Sequence, residues 1–236
     1  MSHTWNPDLS LLLSTLPTSD RQHLQAHLMP IELQENQTLY ESNKVLYDVF
    51  FPTSATISLR YVLQDGAQTE IAEIGNEGMA GISVLLKGNT TPSRAVVQCA
   101  GYAYRLCAAD LYKLLDCSPT AATLFSRYTL ALMMHIAQTG VCNRHHDTEQ
   151  RFCRWLLAAA DRRRSQEVAV TQEQIANILG VRRETITSSA LSLQRSGSIC
   201  YTRGCITLLD RVQLESTSCE CYFIVRNSYK DLLSVS

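Results

Sequence analysis

The chain has 236 residues, 45% of them apolar and 18% charged, with a formal net charge of −1. These are ordinary values for a soluble globular protein with room for one large or two modest domains. Nothing at the N-terminus reads as a signal peptide or basic leader, and the apolar run Leu9 to Leu13 is too short to span a bilayer. The sequence therefore points away from membranes and towards a cytoplasmic protein whose nine cysteines are reduced thiols.

Residues from Asp8 to Leu28 place leucines at helical spacing and predict two short helices, broken near Pro17. From Ile31 to about Leu106 the pattern changes to β-rich runs separated by turn residues: Thr38 to Tyr40, Val45 to Phe51, Ala55 to Leu63, Gln68 to Ile74 and Arg94 to Leu106. Asp65-Gly66 reads as a hairpin turn. Such regular spacing suggests a sandwich, jelly roll or β-roll. After a short helix from Ala108, Ser118-Pro119 opens a long one running to about Val141. Its stripe of Leu124, Tyr128, Ala131, Leu132 and His135 is wide enough to serve both its own domain and a second copy, so residues 118–142 are read as a dimerisation helix. The polar break at 143–147 is read as a hinge, and Thr148 to Arg163 as a helix with Phe152, Trp155, Leu156 and Ala159 on one side.

Thr171 to Arg195 then reads as two short helices joined by a tight turn. Thr171 caps the first helix, with Gln174 completing a capping box, and Gly180 can take the positive φ that the turn requires. Ala176 is small where the helices approach, and Ile175, Leu179, Val181 and Ile186 supply the shared core. This is a helix-turn-helix, and it points to double-stranded DNA. The second helix presents Arg182, Arg183, Glu184, Thr185, Thr187 and Ser188 at its N-terminal end, where a major-groove reader meets base edges, and Thr171 and Gln172 begin the first. Ser189 and Ala190 are small for such a helix and predict thin packing. Ile199 to Leu208, two strand-like runs around Arg203-Gly204, looks like a wing, with Arg203 at its tip as a further DNA contact. The charge agrees. Residues 144–211 hold eleven arginines against seven acids, whereas residues 1–143 hold eight bases against twelve acids. A basic segment of this kind neutralises phosphates and makes binding salt-dependent.

No metal site is expected. His135 has no second ligand at suitable spacing on its face, His145-His146-Asp147 are adjacent and point different ways, and Cys219-Glu-Cys221 lacks a C-x-x-C half to complete a zinc site. Enzyme signatures are missing as well: there is no Ser-His-acid order, phosphate loop or paired carboxylates.

In this order of elements the chain resembles the cyclic-AMP receptor and fumarate-nitrate regulator (Crp/Fnr) family of bacterial transcription factors. The resemblance is carried by Gln172 to Arg195, by Glu149 to Arg162, and by Glu77-Gly-Met-Ala-Gly-Ile. It implies an α+β chain: a cyclic-nucleotide-binding-like β-roll with N-terminal helices (1–117), the dimerisation helix, the hinge and a winged helix-turn-helix (148–210); residues 211–236 read as a C-terminal helical extension that short family members lack, expected to pack against the winged helix. It also implies that Arg183 donates to a guanine and Glu184 accepts from a cytosine amino group. Ser188 stands where the family often has Arg. The implied molecule is a homodimeric regulator on a two-fold symmetric operator, with RNA polymerase as a further partner.

The ligand side departs from the family. Where cyclic-nucleotide binders carry Gly-Glu-Leu, this chain reads Gly78-Met79-Ala80-Gly81-Ile82-Ser83, and where they carry Arg-Ser-Ala it reads Ser93-Arg94-Ala95. Gly81, Ile82, Ser93, Arg94 and Ala95 are the candidate ligand contacts, but exchanging Arg and Ser on a strand turns the guanidinium to the opposite side, so cyclic AMP is not the expected effector. The first cysteine is Cys99, so the family's N-terminal iron–sulfur cluster is not expected either. His23, His27 and Cys99 have no spacing that singles them out as haem ligands. A reading of a different class, a small-molecule sensing module whose winged helix contacts protein, is disfavoured by the basic C-terminal third.

Overall fold

Short strands buried in consecutive runs and a long helix are the two features that organise this chain. The computed structural model describes residues 6, 9–202 and 204–234. It divides into two compact units, one formed by Met1–Val62, Ile71–Met134 and Ser228–Ser236, the other by Leu63–Glu70 and His135–Asn227.

In the first unit, α1 (Leu11–Ser14) and α2 (Thr18–Gln25) precede β1 (Met29–Leu33), β2 (Thr38–Tyr40), β3 (Asp48–Pro52), β4 (Thr56–Val62) and the end of β5 (Gln68–Ile74). Next come α3 (Ile82–Leu85), β6 (Ser93–Cys99), β7 (Gly101–Cys107), α4 (Ala108–Cys117) and the start of α5 (Pro119–His145). The strands form two sheets, ordered β1-β7-β3 and β2-β6-β4-β5, with the described pairs antiparallel. Val49, Phe51, Ile57, Leu59, Ala95, Val97 and Leu106 are buried, and so are Phe50, Ser58 and Val96 between them, so these stretches are covered on both faces. The expected single run from Arg94 to Leu106 is two strands. The break falls at Ala100-Gly101, because the chain there comes so close to the β3–β4 turn that a Cβ on Gly101 would sit 2.6 Å from the Ala55 nitrogen. The run expected from Val45 begins its pairing only at Asp48, and the first strand begins at Met29 rather than Ile31.

The long helix α5 ends at His145, and Asp147 caps α6 (Thr148–Arg163) through a capping box with Gln150. The break expected over 143–147 is therefore narrower. Asn143, Arg144 and His145 complete the last turn of α5, leaving His146 and Asp147 as the connection.

In the second unit, β8 (Glu167–Ala169), α7 (Gln172–Leu179), α8 (Arg183–Arg195), β9 (Ile199–Thr202), β10 (Cys205–Leu208), α9 (Arg211–Thr217) and the start of α10 (Cys221–Leu233) follow α6. β9 and β10 make the wing, and β8 adds a third antiparallel strand that hydropathy did not mark. Phe152, Trp155, Leu156, Ile175, Ile186, Leu193 and Ile206 form one core, which Leu214 and Tyr222 of the C-terminal extension join. Arg211 fastens the extension from its polar side: its Nη2 donates to Asp161 Oδ1 at 2.7 Å, and Tyr222 donates to Asp161 Oδ2 at 2.6 Å. Among the described residues no helix is long and apolar enough to cross a membrane.

Candidate nucleic-acid interface

The sequence builds α7 and α8 from their ends inward. Thr171 Oγ1 accepts from the Gln174 amide at 3.2 Å while Gln174 Oε1 accepts from the Thr171 amide at 2.8 Å, which satisfies two of the donors orphaned at a helix start. Gly180 closes α7 with φ +65°, a left-handed conformation that costs other residues about 1–2 kcal/mol. Arg151 on α6 donates to the carbonyl oxygen of Leu179, one of the unpaired acceptors at the end of α7. Ile175, Ala176, Leu179, Ile186, Ala190 and Leu193 are then buried together. Ser189 and Ala190 are 7% and 2% exposed, so the small side chains permit a close approach instead of leaving the helix loosely packed.

That burial fixes what α8 shows to solvent. Arg182, Arg183, Glu184, Thr185 and Ser188 are exposed at its N-terminal end. The side chains of Arg182, Arg183 and Glu184 have no hydrogen bond or ion pair with any described residue and are free for another molecule. Thr187 differs: its hydroxyl donates to Gln172 Oε1 at 2.8 Å, so this pair, expected to face DNA, ties the two helices to each other. Thr171 is exposed but engaged in its cap. Arg203, the expected wing contact, lies outside the described residues; Gly204 beside it turns the wing with φ +79°.

The residues expected to form a ligand site do not converge. Ser93 and Ala95 point into the roll, 5% and 0% exposed, and Arg94 points to the other side of β6, where it donates to Thr38 Oγ1 at 2.8 Å and pairs with Glu41 at 3.4 Å. Gly81 takes φ +101° ahead of α3, against Val49, and Ile82 starts that short helix. The neighbouring Gly78 is packed against the ring of Tyr128, whose hydroxyl donates to the Met79 carbonyl oxygen at 2.7 Å. The motif Glu77 to Ile82 thus serves as a seat for α5.

That seat corrects the expected dimer face. Leu124, Tyr128, Ala131, Leu132 and His135 are all buried within a single chain, at 7%, 0%, 4%, 0% and 6% exposure. The apolar side chains that α5 leaves in solvent are Leu130, Met133, Met134 and Val141. At His135, burial first, then the positive charges of Arg162 and Arg154, holds the imidazole well below its ordinary pKa of 6.5.

Two thiols set aside for want of a second half find one. Cys219 and Cys221 meet Cys142 and His146, and the four potential ligand atoms all lie within 4.8 Å of one another.

A model of the Crp-like helix-turn-helix domain matches residues 150–217. No curated protein matches the chain. Among solved structures, FixK2 from Bradyrhizobium japonicum is similar at 16% identity and a TM-score of 0.71, over 81% of this chain and 98% of that one. The c-di-GMP responsive global regulator CLP of Xanthomonas campestris is similar at 13% identity and a TM-score of 0.67, over 82% and 100%. A CRP-family transcriptional regulator from Thermus thermophilus, TTHB099, gives 19% identity and a TM-score of 0.66, over 80% and 96%. At such identities these likenesses speak for the fold, while the domain match speaks for the DNA-reading unit. The chain carries a Crp-like helix-turn-helix domain at residues 150–217 within the fold of the Crp/Fnr-family transcriptional regulators.

Proposed function

We propose that the protein is a homodimeric transcription regulator that binds a two-fold symmetric operator, with one α8 in the major groove of each half-site. The observation that carries this reading is the exposed Arg182-Arg183-Glu184, with unpaired side chains, at the start of a helix packed against α6 and α7. Arg183 suits bidentate donation to guanine O6 and N7, Glu184 suits acceptance from cytosine N4, and Arg182 suits a phosphate. Half-sites lie about 34 Å apart, one turn of the duplex.

The dimer forms through Leu130, Met133, Met134 and Val141. Large apolar side chains at Leu130, Met134 and Val141, four and seven residues apart, with Met133 beside them on the exposed side of a 27-residue helix, support an isologous helix–helix contact. Met133→Glu is expected to give a monomer on gel filtration and to lose specific binding. Mobility shifts with genomic fragments test the reading of α8. The double variant Arg183→Ala, Glu184→Ala should lose the specific shift while its circular dichroism is unchanged; an undiminished shift defeats the assignment, and a wild type that retards no fragment defeats the function.

A further inference from the structure

Cys142 and His146 are one helical turn apart at the end of α5, where the His146 amide donates to the Cys142 carbonyl at 3.1 Å. Cys219 and Cys221 flank Glu220 in the short link between α9 and α10. Cys142, Cys219 and Cys221 are buried at 0%, 2% and 0% exposure and form a small cluster of their own. Cys142 Sγ and Cys219 Sγ are 3.5 Å apart, and Cys221 Sγ is 3.5 Å from His146 Nδ1. Bonds of about 2.3 Å to sulfur and about 2.0 Å to nitrogen set the corners of a tetrahedral zinc site roughly 3.5–3.8 Å apart. The cluster needs only a slight adjustment to reach that geometry.

The surroundings are those of a metal site. His146 Nε2 faces Glu220 Oε2 at 3.2 Å, so the carboxylate can accept a hydrogen bond from Nε2–H and leave the Nδ1 lone pair directed at the sulfurs. The residue between the two ligand cysteines would thus orient the histidine. Gln138 Nε2 donates to Cys221 Sγ at 3.0 Å, an amide placed to support a thiolate. Arg154 and Arg151 place positive charge within electrostatic reach of Cys142 and offset the surplus negative charge of three thiolates around a dication.

We propose that Cys142, His146, Cys219 and Cys221 form a closed, tetrahedral zinc site that staples the α9–α10 junction to the end of α5. Four protein ligands leave no open position, which makes the site structural instead of catalytic. Sulfur and imidazole ligands select zinc over magnesium or calcium. A multi-iron cluster would need its ligands spread around a core of several atoms, wider than the 4.8 Å seen here. On binding, each thiol that becomes a ligand releases its proton to solvent, and no electron is transferred. The bound ion would fix the His146-Asp147 connection, since one ligand lies just before it and another within it.

The test is elemental analysis of the full-length reduced protein after gel filtration, with Zn2+ as the probe. About one zinc ion per chain is expected, with near-complete loss in Cys142→Ser and in His146→Ala, and full retention in Cys107→Ser, an exposed thiol elsewhere. Glu220→Ala, which removes no ligand, should weaken zinc affinity roughly 10–100-fold in a chelator competition. Replacement by Co2+ should give the visible absorption of a tetrahedral thiolate complex even if a variant folds poorly, because it is read on the wild type. Absence of stoichiometric zinc before and after anaerobic reconstitution, zinc unaffected by both ligand variants, iron with acid-labile sulfide, or a Cys142–Cys219 disulfide in protein purified without oxidant would each overturn the proposal.

Discussion

The hydroxyl of Tyr128 donates to the Met79 carbonyl oxygen at 2.7 Å, and its ring occupies the space that a side chain at residue 78 would need, 2.7 Å from the position of a Cβ. One aromatic residue on α5 thereby explains why Gly78 follows Glu77 and why this turn is a seat for a helix. Tyr128→Phe leaves a buried carbonyl without its donor and should cost about 1–3 kcal/mol in denaturant unfolding. Gly78→Ala forces the ring aside and should cost about the same through overpacking. Neutral outcomes for both would show that the seat does not hold the helix.

The same packing bears on effectors. Arg94 is engaged with Thr38 and Glu41, and the turn from Gly78 to Ser83 carries no carboxylate. Calorimetry against cyclic AMP, cyclic GMP and cyclic di-GMP is expected to give no stoichiometric heat. Tight binding of any one of them would refute this account of the roll.

Arg151 to Leu179 is the corresponding tie in the DNA-reading unit. Arg151→Met keeps the aliphatic stem but removes the donor, leaving the end of α7 with an unpaired carbonyl in a site where Arg151 is 8% exposed. A loss of about 1–3 kcal/mol is expected, visible as a fall in the melting temperature of this unit. An unchanged melting temperature would mean that water replaces the guanidinium at no cost.

His135 should make stability depend on pH. The folded chain holds its imidazole neutral, because burial and then Arg162 and Arg154 press its pKa well below 6.5, whereas the unfolded chain takes up a proton near that ordinary value. The unfolded state therefore binds more protons as pH falls. Stability is at its full value above about 6.5 and declines below it, towards the depressed folded value. His135→Gln should flatten that decline when melting temperature is followed from neutral to mildly acid pH. Parallel curves for the two proteins would contradict the assignment.

The helix-turn-helix was legible in the sequence because its determinants are local: the Thr171–Gln174 box, Gly180 in the turn, and apolar residues at one-turn spacing. The inward and outward sides of α5 were not. Leu124, Tyr128 and Leu132 share the helix with Leu130, Met133 and Met134, and when apolar residues surround a helix, periodicity cannot say which side meets its own domain. β8 was missed because three residues, Glu167 to Ala169, are too few to show alternation. The Cys/His cluster was invisible for another reason. Cys142 and Cys219 are separated by 77 positions, and the ligand pairs follow neither C-x-x-C nor H-x-x-x-H, so only the fold brings them together.

Hydroxyl-radical footprinting of the wild-type protein on a retarded genomic fragment tests the central claim most directly. Two protected patches related by two-fold symmetry, centred about 34 Å apart along the duplex and both abolished by Arg183→Ala with Glu184→Ala, are the expected result. A single asymmetric patch, or symmetric protection that survives the double substitution, would contradict a paired molecule reading DNA through α8.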